Sequence, residues 1–316
     1  MKCLCCGKEI KETDRGYNEH WHQRCINSFF GTDTIPIVDI SKESLKSIIE
    51  KQIDNKETIT GVQKKFSLHL FNTSSPRLTI VDHPTGYILK PQTEDYANLP
   101  ELEFVSMQLA KICGIECVPF GLIKTSDGAY AYITKRIDRI FSHDNYKKLP
   151  MEDFCQLDER LTEDKYSGSY ERCGGIIRKH SQNVALDLSE LFLRIVFSYV
   201  IGNNDMHLKN FSLISYEKGN YVLSPAYDLL AVKLVLKSDL DDLALTLHGK
   251  KRKQTKNDFL AFASSIGLNE NAAKKIIDFV ISKKEQMINT ITESILDNEF
   301  KEAYKILINT NLLKLS

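Results

Sequence analysis

Between residues 189 and 210 the chain passes abruptly from apolar to polar, and no other stretch limits the possible fold so tightly. Residues 189–201 (SELFLRIVFSYVI) are apolar almost all round. A helix with that pattern must be enclosed by other elements, which predicts its place inside a sizeable domain. The run from Leu186 to Ile201 carries Asp187, Glu190 and Arg194, so it is too short and too charged to span a bilayer. The polar loop Gly202 to Asn210 follows. Then comes a predicted hairpin, with strands over 211–214 and 221–224 around the turn Glu217-Lys218-Gly219-Asn220, closed by Pro225.

The first half of the chain reads differently. Residues 41–54 have helical apolar spacing at Leu45, Ile48, Ile49 and Ile53, with Ser41 as N-cap. Phe66, Leu68 and Leu70 alternate with Ser67 and His69, as a strand entered through a turn at Gly61 should. Strands are predicted over 78–81 and 87–90 around His83-Pro84-Thr85-Gly86, and over 118–124 and 129–137 around Thr125-Ser126-Asp127-Gly128. An amphipathic helix over 100–113 presents Leu102, Val105, Leu109 and Ile112 on one side. From about residue 138 the pattern turns mainly helical, and 256–316 reads as three or so helices. The order is a strand-rich part with one embedded helix, then a helical part built around a buried helix, a polar loop and a hairpin.

That order matches a two-lobed kinase. Phosphoryl transfer needs backbone donors over the phosphates, a Lys held by a Glu, a carboxylate beside the nucleophile, and two metal-holding side chains. Asp205 and Asn210 are five residues apart, the spacing of a kinase base and its metal-binding Asn. His207 follows the Asp by two residues, in a D-x-H-x-x-N order nearer to phosphoinositide-type kinases than to H-R-D. Asp228 stands just beyond the hairpin as the second metal carboxylate, with Tyr227 beside it on the nucleotide side. Lys90 ends the 87–90 strand, and Glu103 on the next helix is its expected partner. Thr58 to Lys65 forms the phosphate-loop candidate, with Gly61, Val62, Gln63 and Lys65 as nucleotide contacts; its single glycine makes it the weakest element. Thr134, Lys135 and Ile137 end the last strand as an adenine hinge, and His207 and Lys209 would offset charge near the γ-phosphate.

The stretches ITGVQKKFSL, YILKPQ, ELEFVSMQLAKICGI, YITKRIDR, LPMEDFCQ, IGNNDMHLKNFSLI and LSPAYDLL resemble, in order and spacing, the HipA-type serine/threonine kinase toxins over about residues 55–250. The resemblance implies an α+β, two-lobed protein-kinase-like fold of HipA type, with a strand-rich N-lobe, a mainly helical C-lobe, and ATP and Mg²⁺ as cofactors. It further implies a protein substrate, an aminoacyl-tRNA synthetase, and silencing by a DNA-binding antitoxin. Some members autophosphorylate a Ser in the phosphate-loop region, where this chain has Thr58 and Thr60. At its start the chain is more similar to the short HipT kinases, whose missing N-terminal subdomain can be a separate small protein. Lys165-Tyr166 and Gly174-Gly175 are expected to flank a loop lining the cleft.

Four of the eight cysteines lie in the first 25 residues. Cys3-x-x-Cys6 and His22-x-x-Cys25 have the pairing of a closed tetrahedral Zn²⁺ site, with His20 as an alternative to His22 and Cys5 as an alternative thiol. Metal would supply the folding energy so small a block lacks. The expected division is therefore 1–31 as a zinc knuckle, 32–137 as the N-lobe and 138–316 as the C-lobe. Lys plus Arg equals Asp plus Glu at 42 each, which leaves no basic excess for nucleic acid. Reduced, clustered thiols and an opening without a secretory leader predict a cytoplasmic protein. Two other readings compete: a catalytically silent nucleotide-binding adaptor, and a small-molecule or lipid kinase.

Overall fold

The computed structural model describes residues 1–38, 64–81, 83–125, 128–142 and 145–316. The predicted helix over 41–54 lies outside the described residues. The chain divides into two compact units: Met1–Phe104 with Val118–Lys147, and Val105–Cys117 with Lys148–Ser316. The Cys/His block is counted within the first.

The first unit is built on a six-stranded sheet of order β1-β3-β2-β4-β6-β5. Its strands are β1 (Ile37–Val38), β2 (Phe66–Phe71), β3 (Arg77–Val81), β4 (Tyr87–Pro91), β5 (Phe120–Lys124) and β6 (Tyr130–Lys135). The β1–β3 pair is parallel and the other pairings are antiparallel. Phe66, Leu68 and Leu70 are buried while Ser67 and His69 are less so, because side chains two apart share a face of a pleated strand. A two-stranded sheet of β7 (Arg139–Ser142) and β8 (Asn145–Lys148) follows.

Helix α1 (Gln23–Phe30) belongs to the Cys/His block and buries Cys25, Ile26, Phe29 and Phe30. The block covers the β5 edge of the sheet. The Leu122 N–H donates to Leu4 O at 2.7 Å, and Trp21 Nε1 donates to Leu122 O at 2.9 Å. Trp21 is fully buried, packs on Phe29 and Phe30, and faces Gly121, where an added Cβ would stand 2.6 Å from its ring. Tyr87 of β4 donates its hydroxyl to Phe29 O. An edge strand otherwise offers unpaired backbone groups to any passing chain, and here Leu4 and Trp21 take those of Leu122.

Helix α2 (Leu99–Ile112) is divided between the units after Phe104. The second unit holds a three-stranded sheet, β11-β10-β9, from β9 (Met151–Asp153), β10 (Ser212–Glu217) and β11 (Asn220–Leu223). The unit also holds α3 (Phe154–Leu157), α4 (Tyr170–His180), α5 (Val184–Ile201), α6 (Lys256–Ser265), α7 (Glu270–Ser282), α8 (Lys284–Thr292) and α9 (Asn298–Leu315). The segment past 138 therefore contains three strands that apolar spacing did not reveal, and the C-terminal stretch forms four helices. Gly174 and Gly175 lie inside α4 rather than beside a loop. A Cβ at Gly174 would stand 2.4 Å from Ile266, so that glycine serves close packing.

Helix α5 is buried along most of its length and carries Asn311 of α9 against its last carbonyls, with Nδ2 donating to Tyr199 O at 2.9 Å. It ends at Gly202, whose φ of 73° is the left-handed cap that a residue without Cβ accommodates.

Gly121→Ala tests the cap on β5. Overpacking against a fixed indole should cost about 1–3 kcal/mol, read as a lowered denaturant midpoint. An unchanged midpoint would mean that Trp21 yields without cost.

Candidate active site and metal centre

The loop after α5 is buried yet polar, so its own side chains must satisfy its backbone. Asn203 Oδ1 accepts from the Asp205 N–H at 3.2 Å, and the His207 N–H reaches Asp205 O at 2.8 Å. Asn210 Nδ2 donates to Asp205 O at 3.0 Å, which directs its amide oxygen away from that bond. Tyr170 donates its hydroxyl to Met206 O, and Asn204 Nδ2 to Asp241 O. Residues 205 and 210 are thereby locked together across the loop.

Lys209 Nζ is 2.7 Å from Asp153 Oδ2 at the end of β9, so its charge is already engaged. Burial, with Lys165 nearby, pulls the His207 imidazole down to about 4, against an opposing pull from Asp228. Without a ligand beside it, His207 is therefore neutral near pH 7. Its Nδ1 and the Asn204 Oδ1 are buried without a hydrogen-bond partner in the protein, as expected where a polar ligand completes the site. Tyr227 is held between Ser212 Oγ at 2.6 Å and Lys209 O at 3.0 Å, which ties the segment after β11 to the loop. Asp228 follows with φ of 61°, a sparsely populated conformation that short polar residues tolerate best. Its charge reaches both His207 and Tyr166.

Tyr166 donates its hydroxyl to Asp205 Oδ1 at 2.5 Å. Sequence reasoning placed this residue only in a lining loop. It also missed Asn203 and Asp153, whose roles come from hydrogen bonds that span the fold.

In the first unit, Lys90 of β4 meets Glu103 of α2 at 2.7 Å, with only 8% and 1% of the two residues exposed. Lys90 Nζ also lies 5.6 Å from the centre of the Tyr132 ring on β6. Thr134 and Lys135 fall at the end of β6, with the Thr134 hydroxyl donating to Pro119 O at 2.8 Å, and Ile137 follows half-buried. Lys65 is exposed just ahead of β2. Thr58, Thr60, Gly61, Val62 and Gln63 lie outside the described residues.

Ligand atoms of Cys3, Cys6, His22 and Cys25 all lie within 4.8 Å of one another. Neither His20 nor Cys5 belongs to this group. His22 Nε2 faces Glu9 O at 3.0 Å and Nδ1 faces Cys6 Sγ at 3.4 Å, so the outer nitrogen is fixed by the backbone and the inner one turns to the thiols. Hydrogen bonds from Cys25 and Cys3 hold Cys6 well below the usual thiol range, and the His22 N–H donates to Cys3 Sγ at 3.3 Å. In a tetrahedral site with Zn–S near 2.3 Å, neighbouring sulfurs stand ~3.8 Å apart. The cluster can hold one ion.

Sheet, helix-borne Glu, polar loop and carboxylate after a hairpin define the kinase-like α+β class. A profile of the HipA-like C-terminal domain matches residues 58–288, and the chain belongs to that family of HipA-type kinases. A Haemophilus influenzae protein named "Putative kinase" is 29% identical, over 93% of this chain and 91% of its own length. The Sinorhizobium fredii "Putative kinase Y4dM" is 30% identical over 70% of this chain and 56% of that protein. Among solved structures, HipA from the Shewanella oneidensis MR-1 toxin–antitoxin complex with HipB and operator DNA superimposes with a TM-score of 0.70 at 19% identity, covering 84% of this chain and 70% of that one. The Helicobacter pylori proinflammatory kinase CtkA gives 0.53 at 14% identity, covering 75% and 90%. Among the described residues no helix is long and apolar enough to cross a membrane.

Purified protein should carry about one bound metal ion per chain, and Cys6→Ser or Cys25→Ser should lose it and lower the thermal midpoint. Metal analysis showing a stable, metal-free wild type would remove the metal centre.

Proposed function

We propose that the protein is an ATP- and Mg²⁺-dependent serine/threonine protein kinase. The observation that carries this reading is the bond from Asn210 Nδ2 to Asp205 O, which ties the Asn210 amide to the backbone of Asp205 in one buried loop whose His207 feels the charge of Asp228. Asp205 orients the acceptor hydroxyl and can take its proton. Asn210, through its amide oxygen, and Asp228, through its carboxylate, are hard oxygen donors suited to Mg²⁺. When bound, that ion would neutralise charge on the nucleotide phosphates. Lys90, held by Glu103, would serve the inner phosphates. Thr134, Lys135 and Ile137 would meet the adenine, and the sequence from Thr58 to Lys65, most of it outside the described residues, is assigned to the phosphates. Most of this work is positioning and electrostatics, as phosphoryl transfer requires.

The cluster of Cys3, Cys6, His22 and Cys25 would bind a structural Zn²⁺, because four protein ligands leave no open position for chemistry. The domain division that fits this reading is a knuckle over 1–31, an N-lobe over 32–137 and a C-lobe over 138–316. Family membership, and the HipB and operator DNA that accompany HipA in the Shewanella complex, support a toxin role with a DNA-binding antitoxin as partner. An aminoacyl-tRNA synthetase is the proposed substrate, a separate small N-subdomain protein is a further partner, and Thr58 and Thr60 are the proposed autophosphorylation positions. The proposed compartment is the cytoplasm.

Incubation with labelled ATP and a bacterial extract should label a protein band, and Asp205→Asn or Asp228→Asn should reduce transfer by roughly 10²-fold or more. Full activity in either variant would refute the assigned roles, and an unlabelled extract under several conditions would favour a silent adaptor. A phospholipid product instead of a phosphopeptide would move the activity to lipid.

A further inference from the structure

Asp205 is braced through its backbone, and its carboxylate is met by a neighbour whose own place is fixed. Its N–H is bound to Asn203 Oδ1 and its carbonyl accepts from Asn210 Nδ2 and the His207 N–H. None of these backbone bonds sets the rotation of the carboxylate. The Tyr166 hydroxyl, 2.5 Å from Oδ1, bears on it directly.

Tyr166 stands on a segment tied down on both sides. The carbonyl of Lys165 accepts from the Leu208 N–H at 3.2 Å, which fastens it directly to the polar loop. Two residues beyond Tyr166, Gly168 O accepts from Thr246 Oγ1 at 3.2 Å, and Ser169 bridges Thr246 before α4 begins. The ring packs edge-to-face on His207, with centroids 5.0 Å apart, and lies 5.0 Å from Lys165 Nζ. Backbone anchors and ring contacts thus deliver one hydroxyl to one oxygen. Partial burial and the adjoining carboxylates push the phenol above its ordinary range, so it stays protonated and donates.

We infer that Tyr166 is a positioning residue for phosphoryl transfer, its hydroxyl fixing the Asp205 carboxylate in the rotamer that receives the acceptor hydroxyl. A carboxylate offers roughly four lone-pair sites, so the bond from Tyr166 does not exhaust it. Tyr166 is 43% exposed, so this contact lies where an incoming protein acceptor can also arrive. The inference rests on the phosphotransferase reading of Asp205.

The test compares wild type, Asp205→Asn, Tyr166→Phe and Tyr166→Leu in steady-state assays with labelled ATP and the protein band labelled in extract. Tyr166→Phe keeps the ring and loses only the hydroxyl. It should lower kcat about ten-fold or more while leaving KM for ATP within about two-fold, because a misoriented catalytic group slows the chemical step without weakening nucleotide binding. Thermal midpoints should match wild type, and Tyr166→Leu should be no worse than Tyr166→Phe by more than about three-fold. A Phe variant with wild-type kcat overturns the inference, whether or not the Leu variant is impaired, since packing alone would then account for the residue. An increase in kcat overturns it too, because Tyr166 would be a block on Asp205. Inactive wild type defeats the phosphotransferase reading and active Asp205→Asn defeats the role given to Asp205, and either takes this inference with it.

Discussion

A polar loop can be buried only if nearly every donor and acceptor it carries is answered from within the protein. In residues 202–210 that requirement is met by the loop's own amides, by Tyr170 and by the turn at Asp241. The two side-chain atoms left unanswered, His207 Nδ1 and Asn204 Oδ1, therefore stand out. The same satisfaction that lets the loop exist also removes the freedom of its backbone, and a fixed backbone is the base from which positioning chemistry starts.

Everything around the loop follows from holding it there. Helix α5 must be enclosed to bring its C-terminus inward, and α9 supplies part of the enclosure through Asn311 on Tyr199 O. The hairpin β10–β11 carries the chain from Asn210 to Asp228, with Tyr227 bonded back to the loop. Asp153 at the end of β9 takes the charge of Lys209. In the sheet unit the corresponding economy is the Lys90–Glu103 pair, where two nearly buried charges are tolerable because they meet. The Cys/His block answers a different cost, the exposed edge of β5, by giving it a backbone partner at Leu4 and an indole lid.

Much of this is legible in the sequence. The alternation at Phe66, Leu68 and Leu70 names both the strand and its inner face, and the all-round apolar run before Gly202 names a buried helix. The spacings within 3–6 and 22–25 name the four residues whose ligand atoms converge, although spacing alone leaves His20 and Cys5 in play. Strands β7, β8 and β9 escape because short, half-polar strands carry no periodicity over three or four residues. Gly174 and Gly175 mislead because glycine breaks helices by propensity, yet Ile266 needs the space that Gly174 leaves. Tyr166 gives no sign of its bond to Asp205, since 39 residues separate the partners.

The sequence by itself determined the broad order, strands first and helices later, and the family, because periodicity and short motifs are local properties of a chain. Tertiary structure alone decided which of the chemically capable residues touch. It chose His22 over His20 by placing Glu9 O behind it, made His207 neutral by burying it, and set a tyrosine hydroxyl against Asp205. Those outcomes depend on distances between segments far apart in the chain, and on the water excluded around them, which no local pattern encodes.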